Sequence, residues 1–385
     1  MFSRTVYLLA FISLFTDMAS EMLYPVMPVY LKHIGFSIAL IGLLEGVAEA
    51  VAGLSKGYFG KMSDRMGRRA PFIQWGYGLS AVSKPMLALW AYPLWVFLAR
   101  TTDRLGKGLR TGARDALLSE AAAPDTLGRV FGFHRAMDTL GAVLGPLCAL
   151  AYLYYFPEDY IRLFYLAFIP GLLALGATLL LRDQSERRQE KNAGTSFFAF
   201  TGYWEKADPA YRRLVGGLLA FALINSSDVF LLLRARESGL DDATVIGVYI
   251  FYNLTYALAA YPMGILADRL GLKKVFVFGL LLFAAVYAGF ASAQGLPAFL
   301  GLFVLYGLYA AATEGISKAW ISRVSARADR ATAIGFYTGF QSLAALGAST
   351  LMGAVWHFFG PAPAFGMAAA GALGVAAYLV RAIKN

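Results

Sequence analysis

The sequence is poor in the residues that soluble enzymes and metalloproteins lean on. It has one cysteine, Cys148, and three histidines, His33, His134 and His357. A single thiol excludes intrachain disulfides, and three scattered imidazoles exclude the Cys/His spacing of a zinc site. No Gly-x-x-x-x-Gly-Lys-Ser/Thr loop occurs, so ATP is not expected as an energy source. Charged residues make up 15% of the chain, against about 25% in a soluble domain, which must face water somewhere. Low-complexity tails of the kind that mark scaffolds are missing too. Neither a cofactor nor a metal is expected, and nothing points to an enzyme.

Apolar residues, 58% of the total, are abundant instead. They come in runs of roughly 20, the length that crosses a bilayer core as helix. Ten-residue stretches of strict alternation, the mark of a membrane β-barrel, are absent. The expected fold class is an all-α membrane protein with twelve transmembrane helices in two pseudo-symmetric six-helix bundles. The spans are predicted at 5–31, 38–60, 71–91, 94–121, 129–154, 160–182, 211–233, 243–266, 273–293, 297–324, 331–357 and 362–381. Residues 1–182 form the first bundle, 183–210 a cytoplasmic linker and 211–385 the second bundle. The first segment is too long and too acidic for a cleaved signal peptide and is expected to remain as span 1.

The net charge of +10 would suit nucleic acid if it formed one face. It gathers in alternate loops instead, and no nucleic-acid partner is expected. One set holds Lys61, Arg65, Arg68 and Arg69, then Arg129, the central loop with Arg187, Arg188, Lys191 and Lys206, then Arg269, Lys273 and Lys274, then Arg327 and Arg330. The other set holds little beyond Lys32, Arg162, Arg234 and Arg236. The positive-inside rule makes the first set cytoplasmic, with both termini inside and the chain in the cell inner membrane.

The halves repeat each other. Gly60-x-x-x-Asp64-Arg65-x-Gly67-Arg68-Arg69 returns as Gly264-x-x-x-Asp268-Arg269-x-Gly271-x-Lys273-Lys274. Asp103-x-x-x-Lys107 returns as Glu314-x-x-x-Lys318, and Gly132-Phe133-His134 as Gly335-Phe336-Tyr337. The three matches keep their order at separations of 203 to 211 residues. A six-helix unit duplicated in parallel places a binding site between its copies near the bilayer midplane.

The duplicated Gly-x-x-x-Asp-Arg-x-Gly loop, on a twelve-span chain of two halves, resembles the signature loop of the major facilitator superfamily. The resemblance covers the whole chain and implies a secondary transporter, monomeric by default, whose partners are a small solute, protons and membrane lipids. It implies a gating role for Gly60, Asp64, Arg65, Gly67, Arg68, Asp268 and Arg269. Physically, Asp64 and Asp268 can accept from helix N-termini while the bases stay at the cytoplasmic surface. Gly141-x-x-x-Gly145-Pro146 in span 5 is similar to the glycine-proline motif of the antiporter branches. It is truncated, since Leu147, Cys148 and Ala149 follow where further glycine is usual. Arg100 and Arg104 both stand where the family's buried span 4 arginine falls. The run around them, more charged than that motif, resembles one in a bacterial branch and implies no substrate.

Ionisable groups at the bilayer centre cost from about 2.5 to well over 10 kcal/mol, so those inside spans must pair, face water or take part in transport. Asp17 and Glu21 stand four apart on one face of span 1, and Glu45 and Glu49 repeat this in span 2. Two carboxylates in one low-dielectric region do not both ionise cheaply, and one becomes a proton carrier. The alternative is that these acids balance the bases of span 4 or Lys84. Asp17, Glu21, Asp228 and Glu314 are the candidate proton-coupling residues. Arg100, Arg104 and Lys107 form a basic stripe with Arg114, Arg110 lying at its edge. With Lys318, Asn225 and Tyr252 they are the candidate substrate contacts. Asp138 is expected to pair with Arg135 or a span 4 base, and Glu314 with Lys318. Tyr24, Tyr249, Tyr256, Tyr306 and Tyr309 could line an amphipathic cavity or simply pack.

The expected function is a proton-coupled antiporter that exports a small organic solute, an anion among the candidates. The alternatives are a proton symporter or importer, or an exchanger, for an organic anion or sugar, and a lipid or lysolipid transporter. Sodium in place of the proton stays open. The orientation has its own test. In a Cys148→Ala background, a membrane-impermeant maleimide should label Glu158→Cys in intact cells and Arg68→Cys only after permeabilisation. The reverse pattern would invert the topology.

Overall fold

The computed structural model describes residues 2–24, 26–27, 30–31, 34–35, 38–183 and 198–383, the side chains of 38–50, 242–243 and 246 excepted. Lys32, His33, Arg187, Arg188 and Lys191 therefore lie outside the described residues, as do the side chains of Glu45 and Glu49.

Every described element is helical. The first half holds α1 (Arg4–Glu21), α2 (Ile38–Met66), α3 (Ala70–Leu89), α4 (Pro93–Glu120), α5 (Leu127–Tyr155) and α6 (Tyr160–Thr178). A helical turn at Tyr203–Lys206 precedes the second half. There follow α7a (Pro209–Ala222), α7b (Val229–Glu237), α8 (Asp242–Leu270), α9 (Leu272–Ser292), α10 (Leu296–Val324), α11 (Arg330–Phe359) and α12 (Pro361–Ala382). Starts are written locally. Proline occupies the first turn of α3, α4, α7a, α10 and α12, where its missing N–H is no loss. Asp241 caps α8 by accepting from Thr244 N at 2.9 Å, and Asp208 caps α7a by accepting from Ala210 N at 2.7 Å.

Three elements depart from expectation. Span 1 ends as regular helix at Glu21, ten residues early, after which single helical bonds resume, such as Met27 N to Leu23 O at 2.8 Å. The prolines at 25 and 28 bring no N–H to a continuing ladder. Span 7 is two helices, not one. Asn225-Ser226-Ser227-Asp228 separates them, four side chains that compete with the backbone for its hydrogen bonds. The signature loops begin inside helices: Gly60, Asp64 and Arg65 lie on the last turns of α2, and Gly264, Asp268 and Arg269 on those of α8.

Among the described residues, eight helices are long and apolar enough to cross a membrane: α1, α5, α6 and α8 to α12. α4 falls short because it carries eight charged residues between Arg100 and Glu120, and α7 because it is broken.

The chain forms two compact units. The first comprises Met1–Ala122, Met137–Glu205 and Ala326–Gly339; the second comprises Ala123–Ala136, Lys206–Ser325 and Phe340–Asn385. α5 and α11 therefore each start in one unit and continue in the other. In the first unit Tyr30 stands edge-on to Phe164 at 4.9 Å, within a core that joins the end of span 1 to α6. In the second, Phe283 stacks on Tyr287 at 3.9 Å, and Phe290 packs on Phe303 and Phe365.

Lipid offers no hydrophobic drive for one helix to bury against another, so close backbone approach carries much of the packing. α5 lies on α1 in this way. A Cβ at Gly141 would stand 2.3 Å from Leu14 O, and one at Gly145 would stand 2.6 Å from Met18 O. Gly141→Ala should lower the thermal midpoint in detergent, by an overpacking cost of about 1–3 kcal/mol. Gly176→Ala, at a glycine with open space around it, should leave the midpoint unchanged or raise it. Equal midpoints for the two variants would remove this packing role from the motif.

Candidate functional site

The charges of α4 divide between two faces. Toward α3, Asp103 pairs with Lys84 at 2.7 Å and accepts from Ser83. Arg110 donates to Ser80 Oγ at 2.6 Å and lies 4.4 Å from the centre of the Tyr77 ring. Arg114 pairs with its neighbour Asp115 at 2.9 Å. These groups are buried, as is Arg100; the contacts of Asp103 and Arg110 tie α4 to α3, whereas Arg114 and Asp115 pair within α4. The stripe expected to act as one surface is thus split, because α3 packs along one edge of it.

The other face meets α1 and α5. Lys107 is exposed and Arg104 half-buried. Glu21 lies in electrostatic range of both, and Asp17 in range of Lys107. Asp17 has a second carboxylate within hydrogen-bonding reach, Asp138 of α5, which also accepts from Ser13 Oγ at 2.5 Å. Arg135, one of the partners expected for Asp138, makes its ion pair with Glu314 at 3.1 Å, while Arg114, a span 4 base, lies in electrostatic range of Asp138. The first unit therefore brings together Asp17, Glu21, Asp138, Arg104 and Lys107, from three helices. Reading by helical face found the pairs along each helix and missed the acid from α5, which only packing places there.

In the second unit Asp228 sits at the break of span 7, where Tyr306 Oη donates to its carboxylate at 2.6 Å. Tyr252 lies 5.0 Å from Tyr306 ring to ring, and Tyr309 lies 5.2 Å from Tyr306. Tyr252 also neighbours Tyr249 and Tyr256. Arg135 Nε donates to Tyr256 Oη, which joins the tyrosines to the Arg135–Glu314 pair. Tyr287, absent from the sequence candidates, completes the cluster at 6.5 Å from Tyr306. Asn225 is half-buried beside the break, and Lys318 lies one turn beyond Glu314 on α10.

The duplicated aspartates do the same thing in each unit. Asp64 accepts from Thr332 N and Thr332 Oγ1, each at 2.5 Å, and from Ala331 N at 3.3 Å, at the start of α11. Asp268 accepts from Gly128 N at 2.7 Å and Arg129 N at 2.9 Å, at the start of α5. Glycine one turn earlier lets the helices meet: a Cβ at Gly60 would stand 2.4 Å from Ala331 O, and one at Gly264 would stand 2.3 Å from Gly128 O. Gly67 and Gly271 turn the chain at φ +59° and +101°. Arg68 and Arg269 are exposed and Arg65 half-exposed.

A sequence profile described as Major Facilitator Superfamily matches residues 9–241 and 213–384. The chain belongs to the major facilitator superfamily. Its fold is the twelve-helix architecture of that family, and it is a multi-pass secondary transporter. It is 32% identical over 360 residues to an uncharacterised MFS-type transporter of Methanocaldococcus jannaschii, covering 92% of this chain and 89% of the relative. Among solved structures it superposes on the human organic anion transporter MFSD10 with a TM-score of 0.77 at 15% identity, over 98% of this chain and 99% of the other. The Escherichia coli fucose:proton symporter FucP gives a TM-score of 0.77 at 12% identity, over 99% and 98%. Both likenesses concern the fold.

Within this transporter the first-unit copy of the loop is the more heavily charged. Arg69 is buried, pairs with Asp64 at 2.5 Å and Glu120 at 3.1 Å, and donates to Ser63 Oγ at 3.1 Å. Burial alone would lower its guanidinium; Asp64 and Glu120 outweigh that and hold it above its ordinary value. Removing the base leaves two buried carboxylates unmatched. Arg69→Ala should cost about 3–5 kcal/mol in thermal denaturation, while exposed Arg68→Ala should stay within about 0.5. Similar losses for both would make Arg69 an ordinary surface charge.

Proposed function

We propose that the protein is a proton-coupled transporter of a small organic anion, in which proton and anion are bound together. The observation that carries this reading is the contact of Asp17 with Asp138 beside Lys107 and Arg104. Two carboxylates within hydrogen-bonding reach hold a proton between them and titrate as a pair. With one proton shared between Asp17 and Asp138, that pair and Glu21 carry two negative charges and neutralise the two bases. Adding a second proton leaves a base without its counter-charge, in a setting where an unmatched charge costs from about 2.5 kcal/mol upward. A carboxylate or phosphate on the solute supplies that counter-charge, bidentate at Arg104 and as a point contact at Lys107. Protonation and anion binding thus favour each other, and the linkage is reciprocal.

The expected antiport and export rested on the Gly141–Gly145–Pro146 motif. The packing of that motif on Leu14 and Met18 keeps antiport as the second reading. Antiport needs proton and solute to compete, whereas these charges make them cooperate. Residence in the inner membrane with both termini cytoplasmic, action as a monomer, and a gating role for the Asp64 and Asp268 caps belong to the same proposal. The name of the human neighbour, an organic anion transporter, agrees with the solute class.

The test uses purified protein in liposomes loaded with a pH dye and a panel of mono- and dicarboxylates and sugar phosphates. An inward anion gradient should acidify the lumen. Asp17→Asn and Asp138→Asn should each weaken proton coupling by roughly tenfold, the scale of one lost charge-assisted hydrogen bond. Lys107→Gln should raise KM. Alkalinisation with inward anion flux would establish antiport. Unchanged pH dependence in both asparagine variants would remove the proton from this cluster.

A further inference from the structure

The break in span 7 gathers oxygen atoms that the protein satisfies poorly. Asn225 Oδ1 is buried without a hydrogen-bond partner, and the buried Ser226 Oγ and Tyr287 Oη have only each other and Tyr306 to turn to. Ser226 is 4% exposed and Tyr287 0%, so water is not at hand to satisfy them from bulk. A buried oxygen left unpaired costs about 1–3 kcal/mol, so an orphan beside two weakly satisfied hydroxyls is a feature to be explained. They are neighbours: Tyr287 stands beside Ser226, Asp228 and Tyr306.

Asp228 is the fourth member. It occupies the N-cap position of α7b, yet its side chain makes no capping bond to that helix. Aspartate at such a position ordinarily accepts from the exposed N–H groups. This one accepts from Tyr306 at 2.6 Å and has Tyr252 within hydrogen-bonding reach, and a carboxylate with about four lone-pair sites keeps room for another partner. Arg135 is a base in electrostatic range of it, and Glu314 already takes up that charge at 3.1 Å. The backbone on either side is unwound. Ile224 N and Asn225 N both fold back on Phe221 O, at 2.9 Å each, so the ladder of α7a closes early, and Ile224 O takes only the N–H of Ser226, two residues on, at 3.0 Å.

We propose that the break between α7a and α7b is a sodium site, with Asp228, Asn225 Oδ1, Ser226 Oγ and Tyr287 Oη as its side-chain ligands. One carboxylate with several neutral oxygens matches a hard monovalent ion in charge and in donor type. A divalent ion asks for more carboxylate than this: no group of three acidic, His or Cys residues of metal-site geometry exists among the described residues. Unwound carbonyls and the C-terminal end of a half-helix add partial negative charge on the side of α7a. The site lies wholly within the second unit. It is independent of the proton cluster of the first, and it gives Asp228 a cation other than the proton expected from the sequence.

The test is binding of radioactive sodium to the purified full-length protein in detergent, with choline chloride holding ionic strength constant. Saturable binding of one ion per chain is expected. Asp228→Asn should abolish it, and Ser226→Ala should weaken it by about tenfold, the loss of one ligand. Asp17→Asn should bind sodium as the parent does, which separates this site from the proton cluster. Sodium should also raise the thermal midpoint of the parent and not that of Asp228→Asn. Gel-filtration profiles and midpoints in choline show that the Ser226→Ala protein is folded. No saturable binding, the result if ordered water alone fills the break, would overturn the proposal. Saturable binding that survives Asp228→Asn would overturn it as well.

Discussion

An ionised side chain inside a membrane-spanning helix has to find its opposite within reach, and α4 imposes that demand on the whole first unit. Its eight charged residues recruit Lys84 and Ser80 from α3, Arg69 at the start of α3, and Asp17 and Glu21 from α1. Where α3 packs closely, the charges are buried and held by fixed partners, Lys84 by Asp103 and Arg110 by Ser80 and the Tyr77 ring, and they behave as structure. Where α1 and α5 face Arg104 and Lys107, the balance includes carboxylates that can take up a proton, and the same electrostatics becomes a means of coupling. The difference between the two faces is one of burial and stoichiometry, not of residue type.

The two copies of the ancestral unit have kept one device and inverted another. Both retain an aspartate that receives the first N–H groups of a helix, and a glycine one turn before it that lets the backbones touch. Both also tie the start of their third helix to the end of their sixth. In the first unit Asp183, just past α6, accepts from Arg69 N at 2.6 Å and Ala70 N at 2.8 Å. In the second, Lys273 donates to Val380 O at 3.0 Å and to Ile383 O at the end of α12. A negative group on N–H donors has become a positive group on carbonyl acceptors. The helix dipole makes both arrangements favourable, so the tie survived while its sign changed.

Much of the architecture was legible because it obeys the bilayer. Span lengths, the positive loops and the duplicated Gly–Asp motif all follow from constraints that act on short stretches of chain. Three features escaped. The Asn225–Asp228 run reads as part of one continuous span 7. Four residues that compete with the backbone in succession were the signal for a break. Asp138 was expected to pair with Arg135 or a span 4 base. The chain could not show that Ser13 and Asp17 would be set against it, because the glycines of α5 fix that packing through contacts with a helix about 130 residues away. Tyr287 carried no local mark at all among 22 tyrosines.

α5 and α11 each start in one compact unit and continue in the other, the crossing falling at Ala136–Met137 and Gly339–Phe340. The unit boundaries are therefore not the boundaries of the duplication. A chain divided after Glu205 would not yield two self-sufficient pieces. The first would keep Asp64 and Arg69 but lose the α11 turns that receive Asp64, and the second would keep Asp268 but lose the α5 turns that receive it. Once each copy had lent the other ten or so residues of helix, neither could drift away as an independent gene without carrying an unsatisfied carboxylate with it. The fused chain is in that sense locked by its own exchange.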